Sequence, residues 1–133
     1  MRNGVIHGLV GFSLVVCGFA LQAFEPTKDS VQTMKQNLTA GKAVLIDVRE
    51  LDEWNDGHLV AAAHLPLSRI ERGVSAEQLA KIAPAGKIVY LHCAFGSRSV
   101  TAGKYLSKTG RDVRPLKQGY DDLLGAGFRQ ATN

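Results

Sequence analysis

The chain has 133 residues, 45% of them hydrophobic and 21% charged, with a formal net charge of +4, a profile that fits one globular domain and excludes disordered and fibrous classes. Its 16 Lys and Arg are spread along the sequence, a distribution that suits small anions and offers no basic run for nucleic acid.

Residues 1–23 read as a secretory signal peptide. Arg2 supplies a short basic start, Leu9 to Leu21 an apolar run, and small residues precede a cut after Ala23. The expectation is a periplasmic or secreted protein with one domain over 24–133 and no stable membrane association after cleavage. The alternative is an anchor over residues 5–24, but Gly8, Gly11, Ser13 and Gly18 dilute it, and a span wants about 20 apolar residues. Val16 before Cys17 is too large for a lipoprotein site. Cleavage would remove Cys17 and leave Cys93 as a lone thiol in an oxidising compartment, hence a candidate nucleophile or else a small buried hydrophobe.

Beyond a linker with Pro26, residues 28–38 place Val31, Met34, Lys35 and Leu38 at helical spacing. Residues 43–48 form a continuous apolar run ending in Asp47-Val48, the look of a strand buried on both faces. A short helix is expected over 50–56, anchored by Trp54, and a strand and loop over 59–67. Ser75-Ala76-Glu77-Gln78 is a capping-box pattern that opens a helix to about Ala83. A strand over 87–92, a loop 93–98, a helix 99–108, a strand 112–116 and a helical turn 120–124 complete the chain. The alternation predicts an α/β domain with a mostly parallel central sheet and helices on both faces.

Cys93 then falls just beyond a strand and a few residues before a helix, where α/β sheets bind ligands. The helix terminus, a ring of loop amides and the Arg98 guanidinium would together favour its thiolate. Gly96 lets the loop take backbone angles closed to other residues; Ser97 and Ser99 offer hydroxyls, Ser99 also as an N-cap. Cys93 and Arg98 enclose four residues, one fewer than in a Cys-x5-Arg phosphatase loop, which suits an added sulfur atom better than a phosphoryl group. No histidines or carboxylates share metal-ligand spacing, so no metal site is expected.

The motifs resemble those of the single-domain rhodanese family over residues 28–128. Ile46-Asp47-Val48-Arg49-Glu50 with Glu53-Trp54, Gly57-His58 through Pro66-Leu67, Tyr90 through Ser99, and Leu116-Lys117-Gln118-Gly119-Tyr120 stand in that family's order and spacing. Ala61 and Gln118 replace glycines usual there, and His64 replaces an asparagine. The resemblance implies a thiosulfate sulfurtransferase without a cofactor. Catalytic Cys93 would take the sulfane sulfur as a persulfide and pass it to cyanide or a thiol. Backbone amides of Ala94, Phe95, Gly96, Ser97 and Ser99 would stabilise the persulfide, and Arg98 would bind the anionic donor. Asp47 and Arg49 are implied to be structural supports, while His58, His64 and His92 are expected to be structural, with His92 pointing away from the sulfur. Other readings are a non-catalytic binding module of the family, a protein-to-protein sulfur carrier, and a phosphatase or arsenate reductase, the last disfavoured by the loop length and by the lack of a second cysteine once Cys17 is cleaved away.

Overall fold

The computed structural model describes residues 24–132. Helix α1 spans Val31–Thr39, strand β1 Ala43–Asp47, α2 Leu51–Asp56 and β2 Ala62–His64. Helices α3 (Leu67–Arg72) and α4 (Ala76–Ile82) lead to β3 (Ile88–His92). Helix α5 (Ser97–Leu106) runs into a 3-10 turn (Ser107–Thr109), then β4 (Asp112–Pro115) and α6 (Tyr120–Gly125). The four strands form one parallel sheet in the order β2-β1-β3-β4. The chain thus leaves β1 toward one side of the sheet and returns with β3 on the other. The crevice beyond the carboxyl ends of β1 and β3 is the place where such sheets hold ligands.

The strands are apolar on both sides because helices cover both faces. On one face Leu45 and Tyr90 pack with Met34, Leu59, Leu116 and Leu123, under α1 and α6. On the other, Ile46, Val48, Val89 and Leu91 pack with Leu65, Ile70, Leu79, Ala102 and Leu106, under α3, α4 and α5. Local signals set the helix starts: the Ser30 hydroxyl caps α1 by accepting the Thr33 N–H at 3.0 Å, and Ser75 and Gln78 cap α4 reciprocally.

The stretch over 59–67 differs from expectation. Only Ala62–His64 is strand, and Leu67 already opens α3, a helix the apolar pattern did not reveal because its six residues bury Ile70 alone. Helix α5 starts at Ser97, two residues earlier than expected, because Gly96 is its N-cap in the left-handed region at φ +100°. Ser99 therefore lies inside the first turn and is not the cap. Ala61 needs no glycine-like backbone: no described non-glycine residue has positive φ.

Ahead of α1 the chain runs along the β4 side of the sheet. The Thr27 N–H donates to the Pro115 carbonyl at 2.7 Å. Asp29 accepts the Tyr90 hydroxyl at 2.7 Å and pairs with Arg114 at 2.8 Å. Residues 1–23, expected to be a signal peptide, lie outside the described residues; among those described, no helix is long and apolar enough to cross a membrane.

Leu91 sits in the interior strand β3 with no solvent exposure. Leu91→Ala is expected to cost about 2–5 kcal/mol through lost burial and a residual cavity, measured by urea denaturation.

Candidate active site

Cys93 follows β3 directly and turns toward the face covered by α3, α4 and α5, with only 1% of its surface exposed. The loop curls so that the Gly96 N–H donates to Cys93 Sγ at 3.0 Å. Gly96 is also the N-cap of a ten-residue helix whose first amides have no partner within the helix. The sulfur there meets the Gly96 N–H beside the N-terminus of α5, the end at which a helix dipole is positive. His92, one residue earlier, is buried on the opposite face, 3.6 Å from an Asp47 oxygen.

The chain after β4 backs the loop closely. A side chain at Gly96 would come within 2.9 Å of the Lys117 carbonyl oxygen, and one at Gly119 within 1.9 Å of the Ala94 carbonyl oxygen. Ser99 is fully buried, with its hydroxyl 2.6 Å from the Gly96 carbonyl and 2.9 Å from that of Leu116. Its side chain therefore ties the loop to the end of β4 instead of capping α5 or facing a ligand. Ala94 is half-buried, Ser97 is exposed, and Phe95 projects with 91% of its surface free.

Arg98 is committed to a carboxylate. Its two terminal nitrogens donate to separate oxygens of Glu53 at 2.6 and 2.8 Å. The Arg98 hydrogen bonds hold the Glu53 carboxyl down at about 2, and the pair also strengthens the protonation of Arg98. In the sequence Glu53 stands out only as part of the Glu53-Trp54 motif. Nothing local connects it to a residue 45 positions later; the ion pair becomes visible only when α2 is seen beside α5.

Asp47 and Arg49 form a buried ion pair at the end of the neighbouring strand β1. The Asp47 carboxylate accepts the Arg49 backbone N–H at 2.9 Å and three guanidinium contacts at 2.8–3.1 Å. Arg49 also donates to the Gly57 carbonyl at 2.7 Å and lies 4.0 Å from the centre of the Tyr120 ring. His64 bonds the Arg49 carbonyl through Nε2 at 2.7 Å, and both His58 and His64 stack on Trp54.

Among the described residues Cys93 is the one cysteine, and its place on a loop between a parallel strand and a helix, near ion pairs from the adjacent strand and helix, is an arrangement that can support thiol-based group transfer. The model of the rhodanese-like domain matches residues 30–126, and the chain belongs to that family. It is 34% identical over 90 residues to a putative mitochondrial thiosulfate sulfurtransferase of Schizosaccharomyces pombe, covering 62% of this chain and 63% of that one. It is 38% identical over 80 residues to the Bacillus subtilis protein YqhL, covering 59% of each. The chain thus spans about three-fifths of the length of these curated relatives. The human single-domain sulfurtransferase TSTD1 shares the fold, with a TM-score of 0.61 at 24% identity over 76% of this chain and 96% of that one.

Two predictions follow from the packing and charge of this region. Gly119→Ala should lose about 1–3 kcal/mol by overpacking against Ala94, whereas Gly125→Ala, whose added methyl meets open space, should be neutral or stabilising; urea denaturation compares them. Burial pushes the His92 imidazole below its ordinary 6.5, against the pull of Asp47. Unfolded His92 therefore binds a proton that the folded chain resists, and stability should fall as pH drops below about 6.5. In denaturation series between about pH 7 and 5, His92→Leu should show a shallower slope than the wild type.

Proposed function

We propose that the chain is a sulfurtransferase that carries sulfur as a persulfide on Cys93, with thiosulfate as donor and cyanide or a thiol as acceptor. The observation that carries this reading is the Cys93 sulfur receiving the Gly96 amide at 3.0 Å at the start of α5, supported by family membership. In the first half-reaction the Cys93 thiolate attacks the outer sulfur of thiosulfate. The donor's S–S bond breaks and sulfite leaves with the electron pair. In the second, the acceptor attacks the outer persulfide sulfur, the new S–S bond breaks, and its electron pair returns to Cys93. Neither step calls for a metal or an organic cofactor. The loop amides of Ala94 to Ser99 would stabilise the persulfide charge, and Arg98 would meet the sulfonate oxygens.

A second reading, a carrier that hands the same persulfide to a protein thiol, is favoured by Phe95, an aromatic ring 91% exposed beside the sulfur-bearing loop. Both readings share the loaded cysteine. We also propose, from Arg2, the apolar run and the small residues near Ala23, that residues 1–23 direct export and are removed.

Intact-protein mass spectrometry after thiosulfate treatment tests these points together. A gain of one sulfur on wild type but not on Cys93→Ser, reversed by cyanide, is expected, with the mature mass beginning at Phe24. No adduct on a Cys93 that iodoacetamide still labels would overturn the thiosulfate reaction. A mass retaining residues 1–23 in an exporting host would overturn removal of the segment.

A further inference from the structure

We infer that Glu53 is a positioning residue: it fixes the Arg98 guanidinium with one hydrogen-bonding edge left open and so makes the Cys93 site selective for oxyanionic reactants. As regards sulfur donors, the inference rests on the sulfurtransferase reading above.

A guanidinium carries five N–H donors in one rigid plane. Glu53 takes two of them end-on, one from each terminal nitrogen, at 2.6 and 2.8 Å. Among the described residues the Arg98 Nε–H donates to no protein group, and each terminal nitrogen keeps its second N–H. The Nε–H and the outer N–H beside it form a second, side-on fork. Two oxygens of a sulfonate or sulfite group match that fork as a carboxylate does. Arg98 stands in the first turn of α5, five residues beyond Cys93, and a negative charge on the Cys93 sulfur would favour the protonated guanidinium.

Glu53 is itself held in place. Its Oε1 accepts the Glu50 N–H at 3.1 Å, and the Glu50 carboxylate accepts the Ser68 N–H and hydroxyl at 3.2 and 2.7 Å. A relay of short contacts thus runs from the start of α3 through the cap of α2 to Arg98. A long side chain one-third exposed would otherwise sample many rotamers and lose that freedom each time a donor bound.

Charge and positioning predict opposite outcomes for Glu53→Gln. If Glu53 only offset the charge of Arg98, its neutralisation would strengthen the attraction of anions. If Glu53 positions Arg98, the freed guanidinium serves anions less well. The experiment compares wild type, Glu53→Gln and Glu53→Asp. It reads the thiosulfate KM for persulfide formation, the discharge of preloaded persulfide to mercaptoethanol, whose attacking thiolate has no pair of oxygens to match the fork, and the relative rates at which anionic iodoacetate and neutral iodoacetamide alkylate Cys93. For Glu53→Gln the thiosulfate KM is expected to rise about tenfold, as for the loss of one charge-assisted hydrogen bond. The iodoacetate-to-iodoacetamide ratio is expected to fall by a similar factor, while discharge to mercaptoethanol changes less than about twofold on the same scale. Glu53→Asp, which keeps the charge one methylene back, should lie between. An unchanged or increased ratio in either variant overturns the inference, and so does an equal loss in both half-reactions. The alkylation ratio needs no sulfur transfer, so if wild type takes no sulfur from thiosulfate, the proposed function fails while the role of Glu53 is still decided.

Discussion

The buried pair of Asp47 and Arg49 is the constraint on which the packing beyond the end of β1 depends. Taking two charges out of water costs several kcal/mol per ion unless their hydrogen bonds are met. Here the carboxylate accepts four N–H contacts from one residue, and the guanidinium has a further carbonyl, Gly57, and the face of Tyr120. Those contacts join the end of β1 to the turn after α2 and the start of α6. Removing either partner would leave the other buried and alone, a far worse state than never having had the pair.

From that fixed point the reactive loop is shaped mainly by backbone. Gly96 turns the chain into α5 through a left-handed conformation, Gly119 allows the next connection to press against Ala94, and the Ser99 hydroxyl links both. The loop that carries Cys93 is thus specified largely from behind, by the close approach of Lys117 and Gly119 and by the buried Ser99 hydroxyl. Its outward side is nearly bare apart from Phe95, Ser97 and the paired Arg98. Rigid backing holds the Cys93 sulfur in a fixed place, 1% exposed, beneath a loop whose exposed side carries Phe95.

Much of this was legible in the sequence because its physics is local. Continuous apolar runs at 43–48 and 87–92 mark strands covered on both faces, and β1 and β3 lie inside them. The Ser75-Gln78 box marks the start of α4, and Cys93 follows β3 and precedes α5 as strand-loop-helix order implies. What escaped depends on contacts between distant segments or on weak local patterns. The six residues of α3 carry one buried side chain and no readable stripe. Ser99 looks like a cap in sequence and is a tie to Leu116 in space. The Glu53–Arg98 pair and the approach of Gly119 to Ala94 arise only when α2, α5 and the segment after β4 come together. Gln118, which departs from the glycine usual in the family, precedes the glycine at which a side chain would collide with the loop.

The run of chain before α1 bears on a different hazard. An open parallel sheet ends in two edge strands whose free N–H and C=O groups can recruit another molecule's strand. One edge here, β2, is only three residues long. Along the other, Thr27 occupies the carbonyl of Pro115, Pro115 has no N–H to offer, and Arg114 is held between Asp29 and Asp112. The fold thus limits edge-to-edge aggregation at both borders of its sheet, at one by brevity and at the other by a strap of its own chain.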